Sequence, residues 1–330
     1  MEIVTDRTEY EILSILDRKN RAVTSAEIEK ELQKIGIDIT RRRIIQYLEI
    51  LDGKGFSENL GREGRRITDA GREEVGKAFG ASTDFIYDRV RSMITEAQFD
   101  IERKRGDVIV NLSFIPKDKE KEALEIIKKI CTKSNLIPPF IKIAYEGEKI
   151  YNQEVREGET GLATLSSVTL DEIILKNGFY VDPHYVALLE IINYKPIRCT
   201  GLYSYQESST DVFELFITRS ALTYDALLKG NGKIIADHRY VPYVARTRVI
   251  ELLRRAVDIF GGMVIIGRRD YELGLRCREG YVGILATGGE LILTTLAELG
   301  ILIYSKTANA IISFNELEPV CDVGGEVIVL

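Results

Sequence analysis

The sequence predicts an α+β protein with an N-terminal winged helix-turn-helix followed by a larger α/β regulatory domain built from two related halves. Three observations predict it. Three short amphipathic helical patterns precede a glycine-turned hairpin, apolar strands and helices alternate beyond residue 106, and a strand–proline–helix pattern occurs twice in that region. A length of 330 residues suits two domains. The boundaries expected are 1–80 for the winged helix, 81–105 for a linker or dimer helix, and 106–330 for regulation, ligand sensing and dimerisation.

The first helix runs over Glu9–Lys19, with Ile12, Leu13 and Leu16 on one face and Asn20-Arg21 ending it. Thr24-Ser25-Ala26-Glu27 forms a capping-box pattern: the Thr24 hydroxyl accepts a first-turn amide while the Glu27 carboxylate reaches back. The second helix should then bury Ile28, Leu32 and Ile35. Gly36 breaks it, and Thr40 can cap a third helix over Arg41–Asp52, whose inner stripe is Ile44, Leu48 and Leu51 and whose other face carries Arg42, Gln46 and Glu49.

In a helix-turn-helix the third helix enters the major groove with its N-terminal residues foremost. Arg41, Arg42 and Arg43 occupy that first turn. Residues Ser57–Thr68 read as a wing turned at Gly61-Arg62-Glu63-Gly64, which places Arg62, Arg65 and Arg66 where a wing meets phosphates or the minor groove. An Arg triplet alone is more often a solvated face. The joint occurrence of triplet, helix order and wing arginines favours DNA, with Arg42 and Gln46 on base edges and Thr40, Arg41, Arg43, Arg62, Arg65 and Arg66 completing the contact set. One such domain covers a short half-site, so a homodimer on a palindrome is expected.

Residues 1–80 hold 15 Lys plus Arg and 16 Asp plus Glu, a net of −1, and the whole chain carries 45 against 51, net −6. Polyelectrolyte binding is thereby excluded, and any nucleic-acid contact must be local. Asp69–Phe79 should close the winged domain, and Ser82–Lys104 reads as one helix bearing Phe85, Ile86, Val90, Met93 and Ile94.

Val108–Ile115 is a strand, Pro116 and Asp118 start a helix lined by Leu124, Ile127 and Ile130, and Pro138-Pro139 leads to a strand through Ile141, Ile143 and Tyr145. The pattern returns in Lys233–Val241, Pro242, then Ile250, Leu253 and Ala256, with Lys128-Lys129 matched by Arg254-Arg255. A pseudo-twofold of this kind would place a ligand between the halves. Tyr281–Ala286 runs into Thr287-Gly288-Gly289 and a helix over Glu290–Leu299. Free amides there would suit a carboxylate; the alternative is a tight turn that needs only positive φ, with Glu290 already meeting the helix dipole. Ser166, Ser167 and Thr169 form a polar strand entry.

Cys131, Cys199, Cys277 and Cys321 make no CxxC pair, and His184 and His238 stand alone, so neither a metal nor a disulfide framework is expected. There is no Walker A, GxSxG or GxGxxG run, which leaves enzyme activity disfavoured, and no cofactor is expected. With no signal peptide and no apolar stretch of spanning length, the expectation is a cytoplasmic protein without membrane contact.

The run Tyr10–Gly71, ending Gly64-Arg65-Arg66-Ile67-Thr68-Asp69-Ala70-Gly71, resembles the winged helix of the archaeal nitrogen-regulatory repressors of the NrpR type. Val110-Asn111-Leu112-Ser113, Ser167-Val168-Thr169-Leu170, Leu175-Lys176-Asn177-Gly178, Gly230-Asn231-Gly232 and Val282-Gly283-Ile284 leading to Gly288-Gly289 are similar, in the same order, to that family's regulatory domain. The chain departs from the family pattern at Tyr185-Val186-Ala187 and at Gln206-Glu207.

The resemblance implies a homodimeric repressor released from a palindromic double-stranded operator by 2-oxoglutarate or another small carboxylate. The ligand set it suggests is Ser167, Thr169, Arg239, Thr287, Gly288 and Gly289, with Arg198 and Arg246 as further arginine candidates. Two other readings remain open at this point: a co-repressor or partner subunit docking through the winged helix, and an enzyme acting on a 2-oxo acid.

Overall fold

A computed structural model of the chain describes residues 6–77, 86–205, 223–269, 271–302 and 304–330. The chain divides into two compact units, Met1–Thr83 and Asp84–Leu330. Phe79, Phe85, Gln206 and Glu207 lie outside the described residues.

The first unit contains α1 (Arg7–Lys19), α2 (Ser25–Lys34), α3 (Arg41–Gly53), β1 (Ser57–Asn59), β2 (Arg65–Ile67) and α4 (Asp69–Lys77). The capping box forms as expected, with the Thr24 hydroxyl accepting from Glu27 N and the Glu27 carboxylate accepting from Thr24 N. Asn20 closes α1 in the left-handed conformation, at φ 48°. Ile12, Leu13, Leu16, Ile28, Leu32, Ile44, Leu48 and Leu51 form one core, each fully buried aliphatic contributing about 1.5–3 kcal/mol. Ile35 does not join it: it follows the last turn of α2 and is 41% exposed.

The wing pairs Ser57 with Ile67, Glu58 with Arg66 and Asn59 with Arg65. Arg65 also bridges Val23, which adds a third extended segment. Gly64, at φ +106°, is needed twice over, because a Cβ there would also sit 2.1 Å from Val23 O.

The second unit opens with α5 (Ile86–Glu96), β3 (Phe99–Asp100), β4 (Arg105–Pro116), α6 (Glu120–Lys133), β5 (Phe140–Ala144), β6 (Lys149–Ile150), β7 (Gln153–Glu154), β8 (Glu159–Leu165) and α7 (Val168–Lys176). It continues with β9 (Asp182–Ile192), β10 (Lys195–Ser204), α8 (Thr223–Lys229), β11 (Asn231–Pro242), α9 (Arg246–Phe260), β12 (Gly262–Ile266), β13 (Tyr271–Glu272), β14 (Leu275–Arg276) and β15 (Tyr281–Ala286). Last come α10 (Glu290–Glu298), β16 (Tyr304–Ser313), β17 (Glu318–Pro319) and β18 (Gly325–Val329). The helix expected over Ser82–Lys104 thus ends at Glu96. Phe99 instead enters β3, where its ring packs against Phe260 and Phe314 with centroids 4.9 and 5.5 Å away, a long-range aromatic contact that outweighs local helical periodicity.

The two halves are evident in element lengths. β4 and β11 each span 12 residues, end in proline and pass through a three-residue 3-10 turn into a long helix; α7 and α10 are 9 residues each. Two larger sheets result, ordered β16-β4-β8-β5-β17 and β10-β9-β11-β15-β12-β18. Pairing in them is antiparallel except between β12 and β18. The strand following each half's last helix crosses to the other half: β9 pairs with β11, and β16 with β4. Both sheets feed both cores. Ile127 of α6 and Leu296 of α10 share one core with Ile109, Leu189 and Ile235, while Ile173 of α7 and Leu253 of α9 share the other with Val110, Val264 and Ile284.

Candidate nucleic-acid interface and regulatory junction

Thr40 sits at the N-cap of α3, its hydroxyl accepting from Arg43 N at 3.4 Å. The first turn of α3 contains no acidic residue. Three arginines leave that turn with different fates. Arg41 is held by Glu29 of α2, at 2.8 and 3.1 Å. Arg43 donates to Gln46 Oε1 at 3.0 Å and lies over the Tyr47 ring. Arg42 is exposed, and no ion pair or hydrogen bond of its side chain occurs among the described residues. Gln46, one turn further, is exposed too.

On the wing, Arg62 is exposed at the tip and Arg66 pairs across the hairpin with Glu58 at 2.5 Å. Arg65 faces inward: its Nε lies 3.1 Å from Asp52, which also accepts from Ser57, and its side chain is only 15% exposed. It fastens the wing to α3, a role that a count of wing arginines could not separate from phosphate contact.

In the second unit the N-termini of α7 and α10 meet. Gly289 lies at φ −63° and Gly288 is absent from the positive-φ positions, so neither glycine is there for left-handed backbone. Both are there for proximity: a Cβ on Gly289 would stand 2.4 Å from Thr164 Cβ, and one on Gly288 would stand 2.6 Å from Ser167 N. Two amides of the Thr287-Gly288-Gly289 run are engaged within the fold, with Thr287 N donating to Met263 O at 3.0 Å. Gly289 N donates to Leu165 O at 2.7 Å, and the Glu290 carboxylate accepts from Ser166 Oγ at 2.7 Å and Ser167 N at 3.3 Å.

Of the six ligand candidates, Ser167, Arg239, Gly288 and Gly289 converge on this junction. Thr169 and Thr287 serve the backbone, Thr169 Oγ1 exchanging bonds with Ile109 and Thr287 Oγ1 donating to Leu136 O. Arg198 pairs with Glu190 at the surface, and Arg246 donates to Gly267 O and Leu330 O.

Periodicity gave no warning of the acids at the junction. Arg239 Nε lies 2.7 Å from Asp171 Oδ1, and Arg239 Nη2 donates to Ser167 Oγ at 3.2 Å. Asp237 accepts from Ser167 Oγ and from Tyr205 OH. Arg239 Nη1, Asp171 Oδ2 and Glu290 Oε2 are buried without a hydrogen-bond partner among the described residues. Burial pushes Asp171 up to about 7, against the pull of the Arg239 guanidinium and with Asp237 adding to the rise. It raises Glu290 as well, again with Asp237 adding. Tyr185, at the first departure from the family pattern, packs near His184, His238 and Tyr240.

Among the described residues there is no group of three or more His, Cys, Asp and Glu that could hold a metal ion. No described helix is long and apolar enough to cross a membrane.

Residues 83–319 match the family model for NrpR regulatory domains NRD1 and 2, and residues 10–75 match that for the ribonuclease R winged-helix domain. The global nitrogen regulator NrpRI of Methanosarcina mazei is 30% identical over 324 residues, covering 97% of this chain and 100% of that protein. The global nitrogen regulator NrpR of Methanococcus maripaludis is 25% identical over 282 residues, 85% of this chain, and the chain spans only 49% of that relative's length. The crystal structure of a nitrogen repressor-like protein from Methanococcus jannaschii superposes with a TM-score of 0.58 at 25% identity, covering 72% of this chain and 99% of that one.

Proposed function

The chain belongs to the NrpR family of nitrogen regulators, and from that premise we propose that it is a homodimeric, DNA-binding repressor released from a palindromic operator by a small dianion such as 2-oxoglutarate. The observation that carries the DNA reading is Arg42: exposed, without an internal partner, one turn from Gln46 on a helix whose first turn has no acid. Arg pairs bidentately with guanine and Gln with adenine. Arg62 and Arg66 would meet the backbone, where contacts position the protein without reading sequence.

The effector would act at the α7–α10 junction. Ser167 and Arg239 are its candidate contacts, at the approach set by Gly288 and Gly289; Thr169 and Thr287 would support it from behind. A carboxylate of the ligand would take Arg239 in place of Asp171, which burial already drives toward its neutral form. For release, the ligand must bind the arrangement that does not hold DNA more tightly than the one that does.

The test is selection from a random duplex pool by the purified protein, followed by titration of the recovered DNA with 2-oxoglutarate, and with glutarate and citrate as charge controls. Recovery of a palindrome whose complex dissociates selectively with 2-oxoglutarate is the expected result. Failure to enrich any duplex would sink the DNA reading, and dissociation by all three acids alike would sink the effector reading.

A further inference from the structure

The third helix presents more than polar groups to the outside. Ile44, Tyr47, Leu48 and Leu51 face the core, and Ile45 and Ile50 remain 38% and 43% exposed on either side of Arg42, Gln46 and Glu49. At 3.6 residues per turn, Ile45 lies one position before Gln46 and three after Arg42, in the N-terminal half that a recognition helix inserts first. Single exposed aliphatics are ordinary on a protein surface. This one is ringed by Arg41, Arg42, Gln46 and Glu49, all exposed, at the start of a helix whose first turn carries three positive charges and no negative one.

Those charges complement a phosphate-lined groove. An apolar side chain at its floor has one natural counterpart, because the 5-methyl of thymine is the only apolar group that a base pair displays in the major groove. A thymine in the pair beside the one that Gln46 reads would turn that methyl toward Ile45.

We propose that Ile45 is a specificity-determining residue that packs on a thymine methyl in the operator half-site, next to the base pair read by Gln46. The inference rests on the DNA-binding reading above. Ile50, nearly a turn and a half further along α3, lies outside that contact.

The experiment uses the full chain and the duplex recovered by the selection already described, resynthesised with deoxyuridine replacing thymidine one position at a time. Uracil keeps the hydrogen-bonding edge and removes only the methyl. At one symmetry-related pair of positions, affinity should fall about fourfold per half-site, the change expected for one buried methyl group. Ile45→Ala should lower affinity for the thymidine duplex and abolish the difference between the two duplexes, while Ile50→Ala leaves the difference in place. Ile45→Val, which retains a branched methyl surface, should keep most of the discrimination, and thermal unfolding of each variant checks the fold.

A wild-type protein indifferent to every uridine substitution would overturn the proposal. So would an Ile45→Ala variant that still discriminates as the wild type does, since the methyl would then be read elsewhere or through DNA shape. Failure to enrich any duplex would overturn the underlying DNA reading itself, and is distinguishable from both.

Discussion

Arg239 of β11 and Asp171 of α7 form an ion pair of 2.7 Å across the junction of the two halves, with side chains 1% and 0% exposed. Removing one member of such a pair leaves a charge buried without its counterion, which typically costs about 3–5 kcal/mol. Arg239→Met should lose less than Asp171→Ala, because Asp171 can take up a proton whereas Arg239 cannot shed one. Urea denaturation of the full chain, followed through the second unit's transition, would measure the ordering; equal losses would contradict it.

Asp171 and its neighbour in α7, the buried Glu172, which accepts from Phe99 N at 3.0 Å, give stability a pH dependence. Asp171 and Glu172 are raised to about 7, in each case chiefly by burial. A carboxyl whose folded value exceeds its unfolded value of about 4 holds more protons in the folded state between those limits. These groups therefore favour folding below about pH 4 and lose that contribution as pH rises toward 7. Asp171→Asn and Glu172→Gln should flatten the decline in unfolding free energy over that window. An unchanged slope in both variants would show that the acids titrate normally.

Gly289→Ala tests the reason for the glycine. The backbone there is ordinary helical, at φ −63°, so the cost falls on the contact with Thr164 and not on torsion. Forcing a methyl into a packed site costs about 1–3 kcal/mol. The companion change Thr164→Ala removes Oγ1, one of the crowding atoms, and should recover part of the loss in a double-mutant cycle. Strict additivity would place the strain elsewhere.

Two wing and helix arginines should separate cleanly. Arg42→Ala is expected to weaken specific DNA binding about 10- to 100-fold, with unchanged thermal stability. Arg65→Ala should lower the stability of the winged unit by about 1 kcal/mol, through loss of the Asp52 contact. A thermal shift alongside a binding isotherm for each variant decides the matter, and a stable Arg65→Ala protein would return that residue to the DNA surface.

Local chemistry made much of the first unit readable. Thr24 with Glu27, Thr40 before the arginines, and the glycines around Arg62 each satisfy a requirement set by neighbours a few residues away. Pro116 and Pro242 likewise betrayed the two halves, since each ends a strand and opens a helix. The junction was less legible: Ser167, Arg239, Gly288 and Gly289 stood out by residue type, but Glu290 read as an ordinary first-turn helix residue and nothing local marks Asp171. Only the tertiary fold sets Asp171 against Arg239, 68 positions away, and Glu290 against Ser166 and Ser167, more than 120 positions away. The same distance effect explains β3, where Phe99 follows Phe260 and Phe314 and not its own neighbours.

The pairing of β16 with β4 sets Lys306 opposite Leu112 and Ser313 opposite Asp107. A ribosome that has released the first half of the second unit has therefore produced a sheet whose β4 edge is still open, and nothing made up to β15 can close it. Until residues 304–313 emerge, β4 presents unpaired backbone groups to whatever other chains are nearby. Such non-local closure is slow, so the nascent chain has a window of vulnerability to aggregation that lasts until residues 304–313 have emerged. Holdase protection, or low synthesis rates, would matter more for this protein than its composition suggests.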